Sequence, residues 1–186
     1  MRPGATWAEA VLSAEDWAFL EERRVAHLAT ADATGRPHVV PVCFARSGDA
    51  LFVPIDAKPK RGDPRALRRL RNLRRRPRAT LLVDRYDEDW RRLRWLMLSV
   101  RARILEANGE SAADGAPADE AADGADAVAR RDALAALEAR YPQYAAMGLA
   151  GLNLPVIRLD PEGVRRWSAG PSSAGEGEQE KGEAEP

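Results

Sequence analysis

The sequence predicts an α+β protein, mainly β, built on a small antiparallel barrel. Three observations lead to this class. Four or more short β-type segments follow one another, separated by turn signals. Only a few helical patterns surround them. Pro41 lies inside one strand segment and has no N–H for a ladder hydrogen bond, which places it at an edge or an opening of the sheet.

The first third of the chain predicts one helix and a meander. Ser13 with Asp16 three residues later resembles a capping box, so a helix is predicted over 14–23. Three strand segments follow with turns between them: 25–32, 36–45 and 50–56. Strand, turn, strand, turn, strand predicts a meander.

The next segments alternate in type. Asp63 as N-cap and Pro64 at the first helical position predict a helix over 64–76. Its apolar side would carry Ala66, Leu67, Leu70 and Leu73, and its opposite side Arg68, Asn72 and Arg75. Further elements are predicted as strands over 78–86 and 94–107, a helix over 128–142, and one or two strands over 154–168.

Two acidic tracts are set apart by composition. Residues 107–127 and 169–186 hold Ala, Gly, Asp and Glu with almost no large apolar side chains. Such segments bury too little surface to offset the entropy of ordering, so both are predicted to lack fixed structure. A single barrel domain is then expected over 1–168. The acidic tracts also bring a chain with 29 basic and 29 acidic residues to neutrality.

Several classes of site find no support in the sequence. One cysteine, Cys43, and two histidines, His27 and His38, do not match a zinc site, so no metal is expected. No Walker loop, G-x-S-x-G or G-x-G-x-x-G motif occurs, and no catalytic residue is predicted. Without a signal peptide pattern or an apolar stretch long enough to span a bilayer, a cytoplasmic protein with no membrane partner is expected.

Basic charge is concentrated between residues 58 and 78. This stretch holds eleven Lys or Arg residues and one acid, Asp63. Lys58, Lys60 and Arg61 lie where a strand gives way to a helix, an arrangement suited to phosphate. The arginines of the helix itself are equally consistent with a solvated face.

Nucleic acid is a competing partner for the basic stretch. A basic helix could lie along a phosphate backbone with a steep salt dependence. However, no helix-turn-helix is visible, and Tyr86, Trp90 and Trp95 do not interleave with the basic residues as single-strand binders require. We therefore expect no nucleic acid partner.

The order of the segments resembles a known family. "RRVAHLATADATGRPHVVPVCFA", "ALFVPIDAKPKR", "LRNLRRRPRATLLVDRYDEDW" and "RWLMLSVRARIL" are similar to the split β-barrel superfamily of pyridoxamine 5′-phosphate oxidase-like, FMN-binding proteins. The similarity is greatest to its subgroup of coenzyme F-420-dependent oxidoreductases. It covers roughly residues 12–106 and continues more loosely to Trp167.

The resemblance implies a homodimer with two cofactors at its interface. Basic residues after the third strand, here Lys58, Lys60 and Arg61, would hold the cofactor phosphate. The ring system would lie near residues of the second and third strands: Val40, Pro41, Val42, Val53 and Pro54. Arg71 and Asn72 match the family's "R-N" position near the phosphate. Trp90 and Trp95 are expected to serve in core or dimer packing.

The function implied is a deazaflavin-dependent oxidoreductase that transfers a hydride between reduced coenzyme F-420 and a small organic acceptor. The alternatives are the same fold with FMN and a flavin- or deazaflavin-binding protein without turnover. Two departures from the family pattern are visible: "GDPRAL" lengthens the segment before Asn72, and the acidic insert at 107–127 replaces a short connection. The C-terminal substrate segment of pyridoxamine phosphate oxidase itself is not recognisable, so that activity is not expected.

Overall fold

The fold is one antiparallel sheet with helices at its ends and along one side. The computed structural model describes residues 8–9, 12–56, 63–107 and 120–169. The strands are β1 (Ala8–Glu9), β2 (Ala26–Ala31), β3 (Pro37–Val42), β4 (Ala45–Ser47), β5 (Ala50–Pro54), β6 (Arg78–Arg85), β7 (Arg94–Leu105) and β8 (Val156–Ser168). The helices are α1 (Ala14–Glu22), α2 (Arg68–Arg75), α3 (Glu120–Arg140) and α4 (Pro142–Met147), with 3₁₀ turns at Pro64–Ala66, Trp90–Arg92 and Leu149–Leu152.

The strand order makes the sheet curl into a split barrel. The order is β3-β2-β6-β7-β8-β5-β4, with β1 beside β8, and every pairing is antiparallel. The two terminal strands, β3 and β4, are consecutive in the chain and are joined through Cys43 and Phe44 alone. The predicted α+β split-barrel class is confirmed, and Pro41 lies in a terminal strand as its missing N–H required.

Alternating side chains divide the sheet into a core face and an outer face. Leu28, Leu81 and Leu98, which sit side by side on β2, β6 and β7, are fully buried inside the curl. Burial of each such leucine contributes about 1.5–3 kcal/mol. A second apolar cluster, around Phe52 and Leu137, packs α3 against β4 and β5. The helix α3 therefore covers one side of the curl.

The predicted first helix is confirmed, together with its cap. Asp16 N–H donates to Ser13 Oγ at 3.1 Å, and Ser13 N–H donates to Asp16 Oδ2 at 2.9 Å. The Asp16 side chain is buried, and Arg166 of β8 donates to the same Oδ2 from Nε at 2.9 Å and from Nη2 at 2.7 Å. One carboxylate thus caps α1 and holds it on the sheet.

Three predicted elements differ from the structure. The middle strand of the meander breaks into β3 and β4, because the chain turns at Cys43 and Phe44 to close the curl. The helix predicted over 64–76 is a 3₁₀ turn followed by α2, which starts only at Arg68. The acidic insert predicted over 107–127 ends earlier, since α3 already begins at Glu120. Residues 108–119 and 170–186 lie outside the described residues.

Tyr141 bridges the break between β3 and β4. Its ring is buried between α3 and α4, and its hydroxyl accepts from Phe44 N–H at 3.2 Å. The hydroxyl also lies 2.8 Å from the carbonyl oxygen of Phe44 and 2.9 Å from that of Arg24, either of which accepts its single proton. One side chain therefore serves the backbone polar groups that the break leaves without ladder partners.

Candidate functional site

The predicted phosphate loop begins directly after a buried carboxylate. β5 ends at Pro54, and Asp56 is 6% exposed. Lys58, Lys60 and Arg61 lie outside the described residues, so their role in binding phosphate stays a prediction. What the structure describes is the surface on either side of this loop, above all the helix α2 that follows it.

The outward side of α2 carries a row of exposed arginines. They line a cleft of about 610 Å³ together with the turn after β2; its lining is Asp32, Ala33, Thr34, Arg68, Arg71, Asn72, Arg74 and Arg75. Asp32 pairs with Arg68 at 3.5 Å, and Glu106 pairs with Arg74 at 2.9 Å. Arg71 and Arg75 make no ion pair with any residue that the structure describes. This cleft has two cations available for an anion.

Asp32 is a fixed negative group at the far wall of this cleft. Its Oδ1 accepts from Thr34 Oγ1 at 2.6 Å and from the N–H groups of Thr34 and Arg36. These hydrogen bonds, the first of them strongest, hold the pKa of Asp32 at about 2. Asp32 is therefore charged at every physiological pH and occupies Arg68, which leaves Arg71 and Arg75 as the open part of the cleft.

Asn72 lies at the floor of the cleft, so its predicted place on the outward side of the helix is wrong, whereas its role near the cofactor phosphate stays a prediction. Asn72 is 4% exposed, and its Nδ2 donates to Thr30 Oγ1 at 3.0 Å. Thr30 Oγ1 in turn donates to the carbonyl oxygen of His38 at 3.4 Å. The error arose because Ala66 and Leu67 were counted into the helix, which rotated its predicted apolar side away from Asn72.

The residues predicted to lie along the cofactor ring fall on both faces of the sheet. Val42 and Val53 are buried in the barrel core, Val40 packs against that core, and Pro54 is also buried. Pro41 is exposed on the outer face. β3 and β5 are not neighbours in the sheet, so these residues flank the split rather than form one continuous strip.

A buried polar cluster lies at the end of β5, and the sequence reasoning missed it. Tyr144 Oη donates to Asp56 Oδ2 at 3.3 Å, and both side chains are buried. Burial, contact with Cys43 and the charge of Asp56 all raise the pKa of Tyr144, in that order. Tyr144 is therefore a neutral donor. Tyr144 and Asp56 are 88 positions apart in the sequence, so no local pattern could predict their contact.

Arg69 is the second feature that the sequence did not reveal. It lies on the same side of α2 as the buried residues Leu70, Asn72 and Leu73, and it is half-buried. Burial lowers its pKa, and the charge of Asp56 opposes this effect. The signal was present in the spacing, because Arg69 lies three residues before Asn72 and four before Leu73.

Metal and membrane sites were also considered. Among the residues that the structure describes, no three His, Cys, Asp or Glu side chains come together in a way that could hold a metal ion. Nor does any helix in that part of the chain have the length and hydropathy to cross a membrane.

Comparison with known proteins identifies the family. The family model described as pyridoxamine 5′-phosphate oxidase matches residues 12–168, which is nearly all of the barrel and its helices. The chain belongs to the pyridoxamine 5′-phosphate oxidase family. A search of curated proteins with this sequence finds no match.

Solved structures share the fold at low sequence identity. A conserved hypothetical protein of Mycobacterium tuberculosis, Rv2991, superimposes with a TM-score of 0.60 at 19% identity, covering 91% of this chain and 96% of its own. The heme storage protein HutZ of Vibrio cholerae gives 0.55 at 23%, covering 83% and 93%. An FAD-binding protein of Mesorhizobium loti gives 0.51 at 20%, covering 86% and 95%. These similarities support the family's fold.

Proposed function

We propose that this protein is an oxidoreductase that binds coenzyme F-420 and transfers a hydride between the reduced deazaflavin and a small organic acceptor. The observation that carries the proposal is the arginine cleft on α2. A deazaflavin with a phosphate and an oligoglutamate tail presents a row of negative charges. Arg71 and Arg75, one helical turn apart and without ion pairs among the described residues, suit such a tail.

The cleft fits the anionic part of the cofactor in charge and size. Its volume of about 610 Å³ falls in the usual range for small-molecule sites. Lys58, Lys60 and Arg61 would hold the phosphate after β5, and the outward arginines of α2 would bind carboxylates of the tail. A ring system would lie against the split, near Val40, Pro41, Val42, Val53 and Pro54.

The chain's own residues bind and orient in this proposal. Bound deazaflavin would supply the hydride chemistry, as cofactors do in such enzymes. No Ser, Cys or metal is needed for that step, and a proton for the acceptor can come from solvent. The protein therefore contributes binding energy through its cations and position through the rigid sheet.

A homodimer is part of the proposal. Cross-strand partners on the outer face form a row with apolar members on β3, β6 and β7: Pro41, Leu82 and Met97. Val39, two residues before Pro41 on β3, is 58% exposed. The row ends on β8 at Arg165, and Trp167, two residues further along that strand, is 45% exposed. Apolar side chains gathered on one sheet face favour association. Light scattering of the purified protein tests it, and a monomer at micromolar concentration would contradict this part.

The central test is a titration of purified apo-protein with coenzyme F-420 and with FMN, each followed by fluorescence. We expect F-420 to bind more tightly than FMN, and the Lys60→Ala, Arg61→Ala double variant to lose most of this affinity. Arg131→Gln, an exposed arginine on α3, is the control and should bind as the wild type does. Unchanged affinity in the double variant would refute the assignment of the loop.

FMN and heme are the alternative ligands that the same titration separates. Tighter binding of FMN would favour the FMN-dependent form of the enzyme, and binding without turnover would favour a carrier. Heme is suggested by His27, which is half-exposed on the outer face with Nδ1 3.7 Å from Asp84 Oδ1. An accessible imidazole nitrogen is a common axial ligand of heme iron. A hemin absorption shift lost in His27→Ala would support heme binding.

A further inference from the structure

The floor of the arginine cleft is a side-chain amide whose orientation is fixed. Asn72 is 4% exposed, and its Nδ2 donates to Thr30 Oγ1 at 3.0 Å. A hydroxyl has one proton, and Thr30 directs it to the carbonyl oxygen of His38. Thr30 can therefore only accept from Asn72, which holds the Nδ2 end of the amide toward β2. The Oδ1 end is turned away from Thr30.

This Oδ1 is an acceptor that the described part of the protein leaves open. Oδ1 accepts no hydrogen bond from any residue that the structure describes, nor is it one of the side-chain atoms there that are sealed from solvent without a partner. Asn72 lines the cleft, so Oδ1 is reached from that space. A nearly buried carbonyl oxygen without a donor is costly, and a ligand with an N–H or O–H group supplies that donor.

Cations stand on both sides of this acceptor. Arg71 precedes Asn72 by one residue and Arg75 follows it by three, and both line the cleft without an ion pair to a described residue. Guanidinium groups donate and never accept, so they attract carboxylate or phosphate. A ligand made of anionic oxygens alone would set its lone pairs against those of Asn72 Oδ1. The cleft therefore favours an anion that also carries a donor.

A chain of amide-linked carboxylic acids meets both requirements. Each link of an oligoglutamate carries one carboxylate and one amide N–H. We propose that Asn72 Oδ1 accepts the amide N–H of a glutamyl link while Arg71 and Arg75 bind carboxylates beside it, so that the cleft selects glutamyl chains over other polyanions. This proposal rests on the proposed function, which assigns the tail of coenzyme F-420 to the cleft, and it makes Asn72 the residue that determines specificity there.

Two probes of equal charge isolate this contact. One is acetylated γ-linked triglutamate, and the other is the same chain with every amide nitrogen methylated, which removes the N–H donors. We expect the wild type to bind the unmethylated chain about 5- to 30-fold more tightly, because the methylated chain leaves Oδ1 without a donor. In Asn72→Leu, which keeps the side-chain volume and lacks the acceptor, this ratio should fall close to one. Isothermal titration calorimetry measures all four affinities.

A purely structural role of Asn72 would move a different quantity. Loss of the hydrogen bond to Thr30 alone would lower the melting temperature and weaken both probes equally, so a ratio as large as in the wild type would overturn the proposal. Asn72→Ala serves if the Leu variant does not fold, and failure of both variants to fold would also overturn it. Gln143→Leu removes an exposed amide on α4 and is the matched control, with an unchanged ratio expected.

Butanetetracarboxylate separates selectivity for glutamyl chains from a general affinity for anions. It has as many carboxylates as the acetylated triglutamate and no N–H group. The wild type should bind it more weakly than triglutamate, and Asn72→Leu should bind it at least as tightly as the wild type does. Arg71→Met should weaken both ligands. Equal or tighter binding of butanetetracarboxylate by the wild type, or no binding of triglutamate at millimolar concentration, would overturn the proposal.

The experiment also distinguishes failure of this inference from failure of the proposed function. If the wild type binds coenzyme F-420 and the triglutamate ratio is the same in Asn72→Leu, the inference is wrong and the function stands. If coenzyme F-420 does not bind but the ratio falls in Asn72→Leu, the proposed function fails, and the cleft remains a site for a glutamyl chain.

Discussion

The hydroxyl of Tyr141 is expected to carry much of the stability of the split. Tyr141→Phe removes one oxygen atom and keeps the ring, so the packing of Arg24 and Arg140 over that ring is preserved. What is lost is the acceptor of Phe44 N–H at 3.2 Å, the acceptor of Arg140 Nε at 3.2 Å, and one bond donated to the carbonyl oxygen of Phe44 or Arg24. Phe44 is 1% exposed, so water does not replace the hydroxyl.

The size of the effect follows from these contacts. A buried N–H left without an acceptor costs about 1–3 kcal/mol, and the lost donated bond about 1 kcal/mol more. The free energy of unfolding should therefore fall by about 2–4 kcal/mol. In a protein of this length that corresponds to a fall in melting temperature of roughly 5–15 °C.

Urea denaturation followed by circular dichroism measures the change, with the m-value expected to stay constant. Tyr86→Phe is the control, because Tyr86 is 69% exposed and its variant should lie within about 0.5 kcal/mol of the wild type. A Tyr141→Phe variant as stable as the control would show that the break between β3 and β4 does not depend on this hydroxyl.

Two further predictions concern buried polar groups. Burial raises the pKa of Asp16, but hydrogen bonds from Arg166 and Ser13 outweigh it and bring the net pKa below 3.8. The stability that Asp16 contributes should therefore be complete above about pH 3.8 and lost as the pH falls below it. The difference in urea midpoint between wild type and Asp16→Asn should become smaller as the pH falls below 3.8. A difference that does not change with pH would contradict this. Asn72→Ala should lower the free energy of unfolding by about 1–3 kcal/mol, because its hydrogen bond to Thr30 is buried. Arg71→Ala, at the exposed neighbouring position, is the control. Equal stability of the two variants would show that the hydrogen bond of Asn72 does not stabilise the fold.

Much of the fold could be predicted because it depends on local patterns. The cap at Ser13, the strand pattern over 94–107 and the missing N–H of Pro41 each depend on residues a few positions apart. The break at Cys43 and Phe44 was not predictable in the same way. It is stabilised by Tyr141, whose contact with Phe44 spans 97 residues, and no local preference encodes it.

The candidate site was predicted less completely, for a related reason. The basic run at 58–78 showed that cations concentrate near one connection, but not which side each of them faces. Helix phase decides that, and the phase depended on whether α2 begins at Pro64 or at Arg68. A start four residues later turned Asn72 inward and placed Arg69 against the core.

The link at Cys43 and Phe44 makes the closure of the barrel covalent. Closed barrels usually join their first and last strands by hydrogen bonds, which can slip or exchange with another chain. Here the terminal strands, β3 and β4, belong to one continuous segment, so at this end the split can widen only as far as three steps of extended backbone reach, about 10 Å. A circular permutant opened between Cys43 and Phe44 would release that tether and expose two free edges, and would therefore be the form of this protein most prone to strand exchange between molecules.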